Sequence, residues 1–181
     1  MLKAQGYRFR VIKPMAAEVA YSPKGPVHAA LKNSRAKAEV VGKKYPGKII
    51  LSADTIVVLG KKILGKPKNK KQSLEMLIRL NGKTHSVITA YTIGVAKNKG
   101  LKIIDEKAVV SFVTFGNFSD VEYDHYERTG EPSDKAGAYG IQGLGSRFIK
   151  SVKGSHTNIA GLPMFEVMQG LKKAGVKYPW K

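Results

Sequence analysis

The sequence predicts an α/β fold in which helices flank a mixed β-sheet. Three observations lead to this prediction: apolar residues recur at helical spacing in some segments, other segments are short strand-like apolar runs, and turn residues separate them. A chain of 181 residues can bury about 70% of its unfolded surface. We therefore expect a single domain over residues 1–181, either with one compact core or with that core drawn out into two lobes.

Each element of the first half rests on a local pattern. Residues 7–12 alternate apolar and basic side chains, which predicts a strand with one exposed face. A helix is predicted from Pro26 to about Lys44, because a Pro-Gly pair follows and one stripe carries Val27, Ala30, Leu31, Ala38 and Val41. Residues 49–53 predict a buried strand that ends at Asp54. Residues 56–64 predict a hairpin that turns at 60–62.

The second half continues the alternation. A helix around residues 74–78 is expected to end at Asn81-Gly82. The remaining predicted elements are two long strands at 84–96 and 101–114, a helix that starts at a Ser119–Glu122 capping box and ends near Gly130, a strand around 147–152 and a helix from 161–163 to Gly175.

Composition excludes several classes of protein. With no cysteine there is no disulfide framework, no thiolate nucleophile and no Cys-ligated zinc. No apolar run reaches the roughly 20 residues that span a bilayer, and residues 1–6 lack the apolar run of a signal peptide, so we expect no membrane partner and a cytoplasmic location. The four histidines show no metal-ligand spacing.

The net charge of +19 favours polyanions and charged ligands. The lysines are scattered and dense only at 66–71, and aromatic residues do not alternate with them as in a nucleic-acid stacking surface. This charge has three interpretations: a solvated basic surface, non-specific nucleic-acid binding, or attraction of a phosphate-bearing small molecule.

Asp54 is the best candidate for a catalytic residue. A carboxylate at the end of a buried strand is held rigidly, and it can bind Mg²⁺ or accept a proton from an attacking water. The alternative is a turn residue that bonds nearby backbone N–H groups.

Two further charged residues are either functional or ordinary solvated charges. Lys66 follows a tight turn and precedes a proline, which suits phosphate neutralisation, but it is also one lysine among many. Glu18 follows the first predicted strand and is a candidate second metal-facing carboxylate or simply a solvated charge.

The glycine-rich segment 130–143 is the most informative stretch of the chain. It places Asp134 and Lys135 among several glycines and carries Gln142 near its end. Such loops contact small polar ligands, although the composition also fits a glycine-rich turn. A carboxylate, a lysine and this loop together suit metal-assisted attack on a phosphate chain.

Five ordered blocks resemble the Maf family of nucleoside triphosphate pyrophosphatases. They are Ser52-Ala-Asp-Thr-Ile-Val-Val58, Ile63-Leu-Gly-Lys-Pro67, Leu80-Asn-Gly-Lys-Thr-His-Ser-Val87, residues 130–143 and Gly154-Ser-His-Thr-Asn-Ile-Ala-Gly-Leu-Pro163. The resemblance implies an elongated fold related to the inosine triphosphate pyrophosphatases, with two lobes, a central cleft and a homodimer. It also implies cleavage of the α–β phosphate bond with a divalent metal, Mg²⁺ or Mn²⁺.

The resemblance assigns roles to matching residues. Asp54 becomes the proton acceptor and, with Glu18, a metal ligand, while Lys66 faces the phosphates. Asp134 and Lys135 match the acid–base pair of the late loop. Thr55 and Gln142 match the branch that acts on dTTP and UTP, and an amide offers the donor and acceptor that a pyrimidine imide edge requires.

Two departures from the family pattern are visible. The family's helix lysine, expected near Leu31, is replaced by Arg35, with Lys37 two positions on. Arg35 is therefore expected to bind the substrate, although arginine meets a phosphate with different geometry. The family's first strand and Ser-x-Ser-Pro-Arg-Arg loop precede the point where this sequence starts. Two hypotheses follow: a dTTP/UTP pyrophosphatase, or a catalytically weakened protein that binds nucleotides or nucleic acid.

Overall fold

The structure, a computed structural model, describes residues 1–180 and contains one five-stranded antiparallel sheet. The strands are β1 (Ile49–Leu59), β2 (Lys62–Leu64), β3 (Thr84–Lys97), β4 (Gly100–Phe115) and β5 (Ile149–Lys153), in the order β2-β1-β3-β4-β5. The α/β class is confirmed. The sheet is antiparallel where a mixed sheet was expected, because tight turns join β1 to β2 and β3 to β4 and so reverse the chain.

The helices agree with the predicted ones in place and type. They are α1 (Pro26–Gly42), α2 (Lys70–Leu80), α3 (Asp120–Arg128), α4 (His156–Ile159) and α5 (Met164–Lys173). Pro26 occupies the first turn of α1, where its missing N–H costs nothing. The capping box of α3 is present, with Ser119 and Glu122 each bonding the other's backbone N–H. The short helix α4 was not predicted.

Asp54 lies in the middle of a strand, so the prediction that the strand ends there is wrong. Residues 49–53 and 56–59 form a single strand, β1, which runs through Asp54. A carboxylate is tolerated inside β1 because polar side chains from α1 bond it, a tertiary contact that a local pattern does not reveal.

The strand predicted at residues 7–12 is also wrong. These residues lie in an irregular segment that precedes α1. Phe9 is 53% exposed and Val11 is 82% exposed, so the apolar side of the alternating pattern is not covered by other residues. An alternating segment is stabilised as a strand only when it pairs and buries that side.

Contacts divide the chain into two compact units. Unit 1 comprises residues 1–54, 90–108 and 162 onward, and unit 2 comprises residues 55–89 and 109–161. The core of unit 1 packs α5 and α1 on the sheet through Tyr91, Ile93, Val167 and Leu171, and through Ala38, Ile50 and Ala96. The core of unit 2 combines aliphatic side chains with an aromatic group around Phe148, whose ring packs edge-on or tilted against Phe115, Phe118, Tyr123 and Tyr126.

Within residues 1–180 there is no helix whose length and apolar character would let it cross a bilayer.

Candidate active site

Asp54 is the centre of a buried polar cluster in unit 1. Its side chain is only 7% exposed, and both of its oxygens accept hydrogen bonds from α1. Lys37 Nζ donates to Oδ1 at 2.5 Å and Asn33 Nδ2 donates to Oδ2 at 3.1 Å. The two donors are four residues apart, so they lie on one face of the helix. The helix therefore holds the Asp54 carboxylate in one orientation.

Lys37 bridges two carboxylates. Its Nζ lies 2.5 Å from Asp54 Oδ1 and 2.9 Å from Glu18 Oε1. Burial alone would lower the pKa of Lys37, but the bonds to Asp54 and Glu18 outweigh it and raise that pKa above its ordinary value. The ammonium is therefore charged at neutral pH, and two of the predicted site residues, Asp54 and Glu18, are brought together around it.

Arg35 lies outside this bridge. Its Nε and Nη2 donate to the two carboxylate oxygens of Glu106 at 3.1 and 2.6 Å, a bidentate pair. Thr92 Oγ1 also donates to Glu106, at 2.9 Å. In this conformation the guanidinium is occupied by a protein carboxylate, and the predicted contact of Arg35 with substrate stays a prediction.

In unit 2, the glycine-rich segment brings Lys66 close to Asp134 and Lys135. The Gly137 N–H donates to the Gly65 carbonyl at 3.0 Å, which ties the segment to the turn that carries Lys66. Lys135 Nζ lies 2.5 Å from Asp134 Oδ1. The hydrogen bond from Lys135, assisted by the nearby Lys66, holds the pKa of Asp134 below its ordinary value. Two ammonium groups and one carboxylate thus share an exposed surface.

Gly137 itself cannot be replaced without strain. Its φ is +71°, and a Cβ there would lie 3.0 Å from the Val57 side chain. Both facts favour glycine, because only glycine adopts this conformation freely and because β1 lies against the segment.

Thr55 faces a hydroxyl network in the same unit. Its Oγ1 lies 2.8 Å from Thr89 Oγ1, which in turn donates to the Asn158 carbonyl at 2.8 Å. Thr55 is half-buried, and its hydroxyl is bonded to the protein through Thr89.

Gln142 is exposed on a loop that a carboxylate holds in place. Glu131 accepts hydrogen bonds from the Leu144 N–H at 2.8 Å, the Gly145 N–H at 3.0 Å and the Tyr126 hydroxyl at 2.8 Å. Burial would raise the pKa of Glu131, but these bonds outweigh it and hold the pKa below its ordinary value. The loop around Gln142 therefore has a defined shape although the Gln142 side chain is exposed.

Sequence reasoning gave no role to Lys37, Asn33 or Glu131. A weak signal for the first two exists in the helix pattern: they lie one turn apart beside the apolar stripe of α1, and a buried amide or ammonium requires polar partners. Glu131 offers no such signal, because its partners are backbone N–H groups brought near by the loop.

Comparisons with known proteins find one family and several relatives. A family model described as Maf-like protein matches residues 1–174. The dTTP/UTP pyrophosphatase of Anaeromyxobacter dehalogenans (strain 2CP-C) is 43% identical over 152 residues, which cover 83% of this chain and 75% of the relative. The dTTP/UTP pyrophosphatase of Fusobacterium nucleatum subsp. nucleatum is 39% identical over 177 residues, 98% of this chain and 90% of the relative.

A third relative aligns over nearly the whole chain. The dTTP/UTP pyrophosphatase of Dictyoglomus thermophilum is 35% identical over 180 residues, 97% of this chain and 90% of the relative. Since the family model spans nearly the whole chain and these relatives align over most of their own length, the chain belongs to the Maf family.

Proposed function

We propose that this chain hydrolyses nucleoside triphosphates, dTTP and UTP foremost, to the monophosphate and pyrophosphate. The names of its relatives support this substrate class, and membership of the family supports the reaction. The observation that carries the proposal is the bridge in which Lys37 joins the buried Asp54 to Glu18. A carboxylate held rigidly beside a positive charge is suited to activate a water molecule that attacks a phosphate anhydride.

Asp54 is the group proposed to accept the proton of the attacking water. It is fixed by two donors, so it needs no reorientation when water arrives, and each carboxylate oxygen has a second lone pair beyond the one that these donors use. A positioned carboxylate base of this kind contributes about 10²- to 10⁴-fold to a rate.

The two carboxylates also fit a divalent metal. Carboxylate oxygens are preferred ligands of Mg²⁺, which in phosphate-transfer sites is held by one or two carboxylates together with substrate phosphates. Within residues 1–180 there is no cluster of three or more acidic or histidine ligands, and this pattern does not require one. The position between Asp54 and Glu18 already stabilises a cation, the Lys37 ammonium.

Asp54 and Glu18 are therefore the residues that would hold Mg²⁺ or Mn²⁺. When bound, such an ion supplies neutralisation of phosphate charge and polarisation of the scissile bond. Glu18, whose side chain is 57% exposed, has the freedom to turn toward an ion. Lys37, charged at neutral pH, stabilises the negative charge that develops on phosphate oxygens.

The unit 2 residues are proposed to bind the substrate. Lys66 and Lys135 neutralise phosphate oxygens as point charges. Gln142 and Thr55 are proposed to read the base, because an amide and a hydroxyl together offer donors and acceptors for a pyrimidine imide edge.

The decisive experiment incubates the purified chain with dTTP, UTP, dCTP, dATP and GTP and measures pyrophosphate release. We expect the fastest release from dTTP and UTP, and a loss of about 10²-fold or more in the Asp54→Asn variant. Asp124→Asn is the matched control, since Asp124 is an exposed aspartate paired with Arg128. Absence of pyrophosphate with every nucleotide would refute the proposed function. Equal rates in wild type and Asp54→Asn would refute only the proposed role of Asp54.

Two finer proposals are a homodimer, which the family resemblance implies, and a cytoplasmic location, which the cysteine-free composition favours. Sedimentation analysis of the purified chain tests the first, and fractionation of the cells that express it tests the second.

A further inference from the structure

Asn33 makes a set of contacts that joins the two carboxylate-bearing segments of unit 1. Its Oδ1 accepts from the Val19 N–H at 2.8 Å, and its Nδ2 donates to the Val19 carbonyl at 3.1 Å. The same Nδ2 donates to Asp54 Oδ2 at 3.1 Å. Asn33 is 4% exposed, so water does not compete for these bonds.

The orientation of the amide is fixed by its partners. Val19 N–H is a donor and must face Oδ1, while the Val19 carbonyl and the Asp54 carboxylate are acceptors and must face Nδ2. A rotated amide would place every one of these contacts against a group of the same kind. The amide thus pairs with the backbone of residue 19 as a neighbouring strand would.

The segment that carries Glu18 depends on this pairing. It lies in the irregular stretch before α1. By holding both backbone groups of Val19, Asn33 places the adjacent Glu18 within 2.9 Å of Lys37, while its third bond holds Asp54. One side chain therefore contacts both the segment that carries Glu18 and the Asp54 carboxylate.

The chain contains a second asparagine that uses the same contacts for a different purpose. Asn81 accepts from the Phe118 N–H at 2.9 Å and donates to the Phe118 carbonyl at 2.9 Å. Its third bond is accepted from the Tyr123 hydroxyl at 3.0 Å, and its partners include no carboxylate. Asn81 belongs to unit 2 and is a matched structural counterpart of Asn33.

We propose that Asn33 is a positioning residue that fixes Glu18 relative to Asp54 and so prepares this pair for the metal–triphosphate complex. The proposal rests on the proposed function for its catalytic meaning. Removal of a residue that hydrogen-bonds to a metal ligand and orients it typically lowers metal affinity or activity by about 10- to 100-fold.

The test compares wild type, Asn33→Leu and Asn81→Leu. Leucine matches asparagine in size and removes every hydrogen bond. Mn²⁺ alone is titrated into each protein without nucleotide, and free Mn²⁺ is measured by electron paramagnetic resonance. For Asn33→Leu we expect Mn²⁺ affinity to fall by about 10-fold and kcat for dTTP by about 10- to 100-fold, with KM little changed. Asn81→Leu is expected to lose thermal stability while it keeps Mn²⁺ affinity and kcat.

A second variant provides the same test if Asn33→Leu does not fold. Asn33→Ala removes the amide and its bonds to Val19 and Asp54 without adding bulk or charge, so the same loss of Mn²⁺ affinity and kcat is expected. Equal Mn²⁺ binding, or an equal lack of it, in wild type and both leucine variants overturns the role of Asn33. Failure of wild type to cleave any triphosphate refutes the proposed function separately, because the Mn²⁺ titration still decides on Asn33.

Discussion

Each of the two units holds a carboxylate in a network of donors, and the donors differ in kind. In unit 1, Asp54 is held by side chains, Lys37 and Asn33, that project from a helix. In unit 2, Glu131 is held mainly by backbone N–H groups of a loop, with the Tyr126 hydroxyl as a third donor.

The difference indicates what each carboxylate can do. The charged partner of Asp54 is itself shared with Glu18, so the network holds together three charged groups suited to chemistry on a phosphate. Glu131 is surrounded by neutral donors whose positions define the shape of the loop with Gln142. We therefore propose that the first network serves the reaction and that the second holds a binding surface.

The largest effect is expected at Lys37. Lys37→Met leaves Asp54 buried beside no cation, and removing one partner of a buried pair costs about 3–5 kcal/mol of stability. We expect activity on every triphosphate to fall by about 10²-fold or more, because the same ammonium serves the reaction. Lys173→Met, which removes the ammonium 2.7 Å from the buried Asp105, is the control. It should lose stability and keep activity, and retention of activity in Lys37→Met would contradict the proposed role.

The next largest effect is a loss of stability at acid pH that originates in unit 2. His85 is 2% exposed and packs against Phe115 and Tyr139, and burial lowers its pKa to about 4. The unfolded chain, with an ordinary histidine pKa near 6.5, therefore binds a proton between about pH 6.5 and 4 that the folded chain does not. Stability is expected to fall by about 3 kcal/mol as the pH falls through that window.

Urea unfolding at pH 7 and pH 4.5 measures this dependence, with His85→Gln as the comparison. The variant should lose less stability on acidification than wild type does. Identical pH dependence in the two proteins would exclude His85 as the cause. Glu131, whose pKa is lowered, contributes stability that is lost only at pH values below the ordinary glutamate range, so the two effects separate.

Glu131→Gln tests whether this carboxylate serves the binding surface and not the reaction itself. The amide nitrogen cannot accept from Leu144 or Gly145 N–H, so we expect a loss of about 1–3 kcal/mol of stability. Because the loop with Gln142 then loosens, the kcat/KM ratio between dTTP and dCTP should fall, whereas Lys37→Met should slow both substrates alike. Tyr126→Phe removes a single donor and should give a smaller change in the same direction. An unchanged ratio in Glu131→Gln would separate this carboxylate from base selection.

The smallest effect on stability is expected at Gln142. Because the side chain is exposed, Gln142→Glu should change stability by less than about 0.5 kcal/mol. Its carboxylate cannot donate to a pyrimidine carbonyl, so kcat/KM for dTTP and UTP should fall, with no comparable fall for GTP. Steady-state kinetics with the three nucleotides measure this, and an unaltered preference would show that another residue reads the base.

Local signals account for the parts of the molecule that sequence reasoning predicted correctly. Pro26 fixes the start of α1, and the Ser119–Glu122 capping box fixes the start of α3, because each acts within one turn of backbone. The ligand-binding role of the late loop, inferred from its glycines and charges, stays a prediction. Residues 7–12 carry an equally good local pattern, yet they form no strand because nothing covers Phe9 and Val11.

The sequence alone determined the secondary structure around strong caps and turns, the family and the residue types available for chemistry. Which of them act together was decided only by tertiary structure. Arg35 and Lys37 are two positions apart, hence about 200° apart around a helix, and packing alone decides that Lys37 meets Asp54 while Arg35 meets Glu106. The same holds for Asn33 and Glu131, because the partners that give these side chains a role are distant in sequence and become neighbours only when the chain folds.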